Sequence, residues 1–210
     1  MAGIKFYICD SETTGLDGKK HEVNEISIIR CDDRVQLTEF IKCDYPERAS
    51  FDSLRITQKT IADLSKGKTK EEVISKVDQF LNEDGNTPAG RCFICHNAAF
   101  DRKFIHALYD KLNKTCPVDL WLCTLAMTKF YIKQTGQKSL ANLHAACEFV
   151  GVKMLSGAHN SKVDTRNTFL LYKNLIDDKQ IDYLPFIKSF PHIVNSSLDG
   201  DGLDPDLLDL

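Results

Sequence analysis

A chain of 210 residues with 42% hydrophobic and 27% charged side chains has the composition of one ordinary globular domain with a short appendage. Its formal net charge of -3 excludes an overall basic field, so a polyanion could be attracted only by local cations or bound metal. No apolar run approaches the roughly 20 residues of a bilayer-spanning helix, so no membrane association is expected.

The first 42 residues predict three strands. Residues 5–9 and 25–30 are short apolar runs rich in β-forming residues, and residues 36–42 alternate between apolar and polar side chains. A cluster of turn-forming residues at 13–18 separates the first two strands. The short connections favour antiparallel pairing of these strands.

The pattern then changes to the helical period, with one further strand at 93–95. Thr69 is the predicted N-cap of one helix, because Glu71 and Glu72 follow it in the first turn. Other helices are predicted at 57–64, 97–112, 119–132, 139–149 and 162–175. Three strands, helices, one strand and more helices together predict an α/β fold, in which helices flank a mixed sheet.

The C-terminal part of the chain is predicted to be an extension. We assign residues 1–180 to the main domain and residues 181–210 to an extension that becomes acidic and glycine-rich from 195 onward. An unstructured, solvated end is one interpretation of that tail. The other is a docking peptide at 204–210, whose alternating acidic and apolar residues would bind a protein partner.

The eight cysteines indicate a reducing, cytoplasmic location. No signal peptide is expected at the N-terminus, and most cysteines lie in or beside apolar runs, as buried thiols do. Cys92 and Cys95 have the spacing of a redox or zinc motif, which is the alternative. The residues between them, Phe93 and Ile94, favour a buried strand instead.

Acidic side chains lie beside three of the predicted elements. Asp10 and Glu12 end the first strand and point to the same side, because side chains alternate along a strand. Asp101 and Asp164 each fall in the first turn of a helix. Taken singly, each fits a solvated acid or a partner of the helix dipole. Two carboxylates at one strand end repel each other, and a divalent cation between Asp10 and Glu12 would relieve that repulsion. Oxygen ligands favour Mg²⁺, with Mn²⁺ as a substitute.

Three segments carry a resemblance to a known family, namely DSETTGL at 10–16, HNAAFD at 96–101 and HNSKVD at 159–164. Through them the chain resembles the DEDDh (DnaQ-like) 3′→5′ exonuclease family of the ribonuclease H-like superfamily, over about residues 5–175. Family members often carry threonine at the position of Ser11, which is a mild departure. The resemblance implies a mixed five-stranded sheet flanked by helices, so a fifth strand is expected near 115–118.

The resemblance also implies a reaction, the hydrolysis of phosphodiester bonds from the 3′ end of DNA or RNA with release of nucleoside 5′-monophosphates. Two divalent cations held by Asp10, Glu12, Asp101 and Asp164 would activate water and stabilise the leaving oxygen. His159 would accept the proton of that water, because the pKa of a histidine can lie near the working pH. An ordinary exposed loop histidine is the alternative for His159.

Substrate contacts are implied beside the acids. Backbone amides in the turn of Thr13, Thr14 and Gly15 would hold the terminal 3′-hydroxyl, while Leu16 and Phe100 would adjoin the terminal base. Core packing is the alternative for Leu16 and Phe100. The expected substrate is a nucleic acid with a free, single-stranded 3′ end.

Two other functions stay open on the sequence alone. A non-catalytic binding module on the same fold would be expected to lack part of the ligand set, whereas all four acids and His159 are present. A proofreading component would need a separate polymerase chain, because 210 residues hold no polymerase region.

Overall fold

The computed structural model describes residues 3–135, 142–156 and 160–194. Six strands lie in these ranges: β1 (Lys5–Thr13), β2 (Val23–Arg30), β3 (Gln36–Phe40), β4 (Arg91–Cys95), β5 (Leu120–Cys123) and β6 (Ile187–Ser189). They form one mixed sheet in the order β3-β2-β1-β4-β5-β6. Strand β1 is central, antiparallel to β2 and parallel to β4, so the ends of β1 and β4 meet at the same edge of the sheet.

Helices cover both faces of the sheet. The described ranges contain α1 (Phe51–Thr57), α2 (Ile61–Leu64), α3 (Lys70–Asn82), α4 (Ala98–Lys111), α5 (Thr124–Thr135), α6 (Leu143–Val150) and α7 (Ser161–Asp177). One core cluster includes Val77 of α3 and Phe104 of α4, and the other includes Met127 of α5 and Leu171 of α7. Because side chains alternate along β1, the residues on each face of this strand pack into one of the two clusters. The α/β architecture predicted from the sequence is confirmed.

The region after α4 corrects two predictions. Residues 120–123 form β5, so the helix predicted at 119–132 begins only at Thr124, and the fifth strand is not at 115–118. Trp121 and Leu122 are fully buried, and a short apolar run of this kind fits a buried strand as well as a helix. Parallel pairing with β4 decides the outcome, and that partner is distant in the sequence.

Two helix predictions change at their ends. The single helix predicted at 57–64 is wrong, because Gln58 adopts a left-handed φ of 56° that ends α1, and α2 begins after Thr60. Residues 136–141 lie outside the described residues, and the helix predicted at 139–149 is described as α6. The cap predicted at Thr69 is confirmed, since its side chain and that of Glu72 form a reciprocal capping box.

Part of the predicted extension joins the sheet. Strand β6 forms one edge of the sheet and pairs antiparallel with β5, with Trp121 opposite Lys188. The domain boundary at 180 stays a prediction, and the acidic tail from 195 onward lies outside the described residues. None of the helices in the described ranges combines the length and apolarity that crossing a bilayer requires.

All eight cysteines are free thiols. Cys92 and Cys95 both lie in β4, but Cys92 packs in one core cluster and Cys95 in the other. They are on opposite faces of the sheet and cannot share a metal or a disulfide. Burial raises the pKa of both thiols, so they stay protonated, and the buried-strand interpretation is confirmed.

The amino-terminal ends of β1 and β4 are joined by a buried ion pair. Arg91 of β4 donates from Nη2 to Oδ1 of Asp84 over 2.7 Å, and both side chains are 2% exposed. The hydroxyl of Tyr7 donates to the other carboxylate oxygen of Asp84 over 2.7 Å. Charges at this end of the sheet are therefore matched.

Candidate active site

Carboxylates converge at the opposite edge of the sheet, where β1 and β4 end. Asp10 and Glu12 project from the same face of β1, and α7 crosses that face with Asp164 in its first turn. One carboxylate oxygen from each of these three residues lies within 4.8 Å of the other two. Sequence positions more than 150 residues apart therefore meet in one cluster.

Asp101 adjoins this cluster from the other side of the strand end. Its Oδ1 accepts hydrogen bonds from the backbone N–H of Ser11 over 3.1 Å and from the Ser11 hydroxyl over 2.7 Å. It is outside the group of three oxygens, yet its charge contributes to the raised pKa of Asp10. Ser11, for which the sequence suggested no role, is the residue that connects Asp101 to the strand carrying the other acids.

The start of α4 explains how Asp101 reaches the strand end. Asn97 adopts a left-handed conformation with φ of 75°, which lets the chain reverse directly from β4 into α4. Ala98 is 5% exposed, and only a small side chain allows the helix to begin so close to the sheet. Asp101 then occupies the first helical turn, as the sequence predicted.

Crowding and burial change the protonation of these acids. Burial raises the pKa of Asp10 well above its ordinary value, and the charges of Asp101, Glu12 and Asp164 raise it further. Burial, then the charges of Asp164 and Glu25, raise the pKa of Glu12 to about 7. Burial raises that of Asp101 to about 7, against the effect of its hydrogen bonds from Ser11.

This donor set fits divalent cations. Carboxylates that repel one another in a half-buried site are costly to ionise, and bound cations remove that cost. Asp10, Glu12 and Asp164 present oxygen atoms close enough for one ion to contact all three, with Asp101 beside them. Oxygen ligands alone, with no thiol or imidazole among them, favour Mg²⁺ or Mn²⁺.

In the turn after β1, the predicted substrate contacts differ in whether their side chains are bonded within the protein or exposed to solvent. The Thr13 hydroxyl donates to the Gly15 carbonyl over 2.8 Å, and the Thr14 hydroxyl accepts from the Glu22 N–H over 2.9 Å. Both threonine side chains are therefore used inside the protein. Leu16 is 78% exposed and presents its side chain to solvent at the tip of the turn. A ligand could contact Leu16 directly.

Gly15 is required by the packing of this turn, since a Cβ there would lie 2.5 Å from the ring of His21. The His21 Nδ1 in turn accepts from the backbone N–H of Asp17 over 3.0 Å, which fixes the turn. Phe100 is only half-buried, and its ring centroid lies 4.9 Å from that of Phe104. Much of the surface of the Phe100 side chain is therefore buried against the core and is not available to a ligand.

His159 lies outside the described residues. Its separation from Asp164 by five positions is known from the sequence, and its role stays a prediction. Asn160, which follows it, is the N-cap residue of α7.

Three further residues at the site were missed by the sequence analysis. Glu25 of β2 lies directly opposite Glu12 of β1, and it contacts Lys59 and Ser161. An acid inside an apolar strand was the available signal for Glu25. No pattern in the neighbouring sequence predicted its two partners, because Lys59 is 34 positions away and Ser161 is 136 positions away.

Comparison with known proteins agrees with this geometry. The exonuclease family model RNase_T matches residues 7–172, which is most of the chain. The PolC-type DNA polymerase III of Staphylococcus haemolyticus is 23% identical over 172 residues, covering 81% of this chain and 11% of the polymerase. The chain thus spans about a tenth of the length of that relative.

Two solved structures share the fold. Exonuclease X in complex with 5′ overhanging duplex DNA superposes with a TM-score of 0.63 at 21% identity, covering 86% of this chain and 96% of that one. The nuclease domain of 3′hExo, a DEDDh family member bound to rAMP, gives 0.66 at 16% identity, covering 83% and 92%. The match of the family model and the shared fold lead to one assignment: the chain belongs to the exonuclease family and has the fold of these two solved exonucleases.

Proposed function

We propose that this protein is a 3′→5′ exonuclease that removes nucleotides from a single-stranded 3′ end of DNA or RNA and releases nucleoside 5′-monophosphates. The observation that carries the proposal is the convergence of Asp10, Glu12 and Asp164 within 4.8 Å, with Asp101 beside them. Membership of the exonuclease family supports the reaction class. Exonuclease X and 3′hExo were solved with DNA and with a ribonucleotide respectively, so either sugar is compatible with the proposal.

The four carboxylates would hold two divalent cations, with Mg²⁺ as the expected ion and Mn²⁺ as a substitute. Such cations, when bound, supply Lewis-acid stabilisation of the charge that develops on the phosphodiester and its leaving oxygen. The protein contributes a fixed arrangement of ligands. Asp10 and Glu12 are held by the central strand, while Asp101 and Asp164 are held in the first turns of two packed helices.

Substrate binding is proposed for the turn beside these acids. The backbone N–H of Thr14 already donates to the Glu22 carbonyl over 2.8 Å, so of the three amides in this turn those of Thr13 and Gly15 are the proposed contacts of the terminal 3′-hydroxyl. The exposed Leu16 would contact the terminal base. Phe100 would contribute through the edge of its ring that remains exposed, since the rest packs against Phe104.

His159 is proposed to accept the proton of the attacking water. We predict that His159→Ala lowers turnover by about 100-fold or more, because general-base catalysis contributes roughly 10²–10⁴-fold. Binding of Mn²⁺, measured by calorimetry, should be nearly unchanged, since His159 is not among the proposed ligands. His144→Ala is the matched control, a histidine of α6, and should retain activity. Full turnover in His159→Ala would remove this residue from the mechanism.

The direct test uses oligonucleotides labelled at the 5′ end, as single-stranded DNA, single-stranded RNA and duplex DNA with a 3′ overhang. Mg²⁺ or Mn²⁺ should give ladders that shorten by one nucleotide from the 3′ end, and EDTA should abolish them. The released products should chromatograph as nucleoside 5′-monophosphates. Asp10→Asn, purified in parallel, controls for contaminating nuclease. Internal cuts, or loss of the label before shortening, would contradict the proposal.

A proofreading component is the second candidate function. The observation that favours it is the similarity to a segment of a PolC-type polymerase. Such a component would work with a polymerase, and it would remove a mismatched 3′ nucleotide faster than a paired one. Primer–template duplexes with and without a terminal mismatch, compared with a free single strand, distinguish the two functions.

Location and protein partner are also part of the proposal. Eight free thiols support a reducing, cytoplasmic location. A partner protein is proposed to bind the acidic segment at 204–210, which lies outside the described residues. Deletion of 196–210 should leave the rate on short oligonucleotides unchanged and should abolish only the partner's binding.

A further inference from the structure

A fifth carboxylate, that of Glu25, lies next to the four proposed ligands and is bound differently. Glu25 is 1% exposed and lies directly opposite Glu12 in the antiparallel pair of β1 and β2. Residues opposite one another in such a pair project from the same face, so Glu25 faces the side on which α7 packs. Its oxygen atoms are not part of the cluster of three.

Both oxygens of Glu25 are already used by the protein. Lys59 donates from Nζ to Oε2 over 2.7 Å, and the hydroxyl of Ser161 donates to Oε1 over 2.7 Å. Lys59 also donates to Oδ1 of Asn24 over 2.5 Å. A buried carboxylate whose two oxygen atoms both accept hydrogen bonds is fixed in place. Glu25 is therefore suited to hold other groups in position rather than to take up a cation itself.

The contact to Ser161 fixes the helix that carries the fourth acid. Ser161 is the first residue of α7 and is fully buried, and Asp164 follows three positions later in the same turn. The N-cap residue, Asn160, forms no side-chain cap, so Glu25 supplies a carboxylate to this helix terminus from another element. A negative charge there is also favoured by the helix dipole.

We propose that Glu25 is a positioning residue for the metal site, which holds the first turn of α7 through Ser161 and so places Asp164 against Asp10 and Glu12. The hydrogen bond from Lys59 holds the Glu25 carboxylate in the orientation that accepts from Ser161. This role rests on the proposed function, because it assumes that the acids bind cations. Removal of either end of the contact between Glu25 and Ser161 therefore weakens cation binding while the fold is kept.

A matched control is available in Glu39 of β3. It is also a buried carboxylate of the sheet, 8% exposed, and it accepts hydrogen bonds from Lys68 and, over 2.8 Å, from Lys76. Its described partners belong to the segment before α3 and to α3 itself, on the other side of the sheet from α7. Glu39→Gln therefore measures the cost of disturbing a lysine-bound sheet acid without any effect on Asp164.

Ser161→Ala separates positioning from charge. Glu25→Gln removes a negative charge near the acids and would weaken cation binding for that reason as well. Ser161→Ala changes no charge, and alanine is the best helix former, so α7 itself is not weakened. Gln36 of β3 still donates to the backbone carbonyl of Lys162 over 2.9 Å, which keeps this helix end attached to the sheet.

The experiment is calorimetric titration of the 210-residue chain with Mn²⁺ alone, with unfolding in EDTA measured on the same samples. Ser161→Ala should weaken Mn²⁺ affinity about five- to tenfold, and Glu25→Gln at least as much, whereas Glu39→Gln should stay within about twofold of the wild type. Wild-type Mn²⁺ affinity in Ser161→Ala would overturn the positioning role, whatever the affinity of Glu25→Gln, because Glu25→Gln also changes the charge.

Asp10→Asn in the same titration distinguishes the two proposals. Loss of Mn²⁺ binding in Asp10→Asn, with wild-type affinity in Ser161→Ala, overturns only the role of Glu25. Unchanged Mn²⁺ binding in Asp10→Asn overturns the four-carboxylate site, and the positioning role fails with it.

Discussion

Asp10 is the residue at which function and stability conflict. Burial raises its pKa, and the charges of Asp101, Glu12 and Asp164 raise it further, so ionising Asp10 in the metal-free protein is costly. A residue selected for stability alone would not be acidic here. The conflict disappears only when cations are bound, and it is a physical argument for the metal site that does not depend on family membership.

Asp10→Asn should therefore change activity and stability in opposite directions. Turnover should fall on the order of 1,000-fold, because ligand loss removes several kcal/mol of transition-state stabilisation. In EDTA at pH 8 the free energy of unfolding should rise, since the amide carries no charge. Oligonucleotide degradation and chemical denaturation measure the two effects. A variant that is both active and less stable would contradict this account of the site.

Ser11 connects Asp101 to β1, and its substitution tests that connection. Ser11→Ala removes the 2.7 Å hydrogen bond to Asp101 and leaves the weaker backbone bond, so we expect turnover to fall about tenfold. Ser11→Thr retains a hydroxyl and should recover most of the rate. Thr128→Ala removes another buried hydroxyl, which donates to the Thr124 carbonyl within α5, and should leave turnover unchanged. Equal rates for all three variants would exclude a role for Ser11.

At the level of elements, the tight turn of the chain between β4 and α4 places Asp101 beside the other acids. Asn97 forms no side-chain cap, so its left-handed conformation, and not a capping bond, is its contribution. Asn97→Val should destabilise the protein by about 1–2 kcal/mol, because a β-branched residue is strained at positive φ. Asn97→Gly should retain wild-type stability. Thermal denaturation measures both variants.

Asn113 provides the control for this element. It also has a positive φ, 52°, but it follows the other end of α4, away from the acids. Asn113→Val should lose comparable stability and keep full turnover, whereas Asn97→Val should also lose turnover. Equal turnover in the two valine variants would show that the reversal at Asn97 does not orient Asp101.

Across the whole molecule, the two ends of the central strands differ in electrostatics. At the amino-terminal ends, Arg91 and Asp84 form a matched buried pair that joins β4 to the segment before it. At the carboxyl ends, Asp10 is surrounded by four other acids, which are Glu12, Asp101, Asp164 and Glu25. The matched ion pair at the amino-terminal ends and the packing of the helices offset the free-energy cost of crowding acids at the carboxyl ends, as is common when a fold carries a functional site.

The stability of the whole molecule should depend on pH and metal together. The pKa values of Glu12 and Asp101 rise to about 7, from 4.5 and 3.8. Between those ordinary values and 7, the unfolded chain is ionised while the folded protein keeps its protons. Since the unfolded state then binds fewer protons, the stability of the metal-free protein should fall as pH rises through this window.

Unfolding midpoints from pH 5 to pH 8, in EDTA and in Mg²⁺, measure this effect. Mg²⁺ should remove the decrease, because cation binding favours the ionised carboxylates. Glu12→Gln removes one titrating group and should give a shallower slope in EDTA than the wild type does. Slopes that are the same with and without Glu12 would show that this carboxyl does not titrate as proposed.

Local sequence determined the features that depend on near neighbours. Alternation along a strand placed Asp10 and Glu12 on one side, and Thr69 with Glu72 predicted a helix start, because both patterns depend on residues within one turn or one strand. Tertiary structure decided the rest. Residues 120–123 form a strand because they pair with β4. Asp101 is held beside the other acids by a hydrogen bond from Ser11, 90 positions away, and Glu25 accepts a hydrogen bond from Ser161, 136 positions away. Such contacts have no local signature, because the energy that selects them is available only once the sheet and helices have packed.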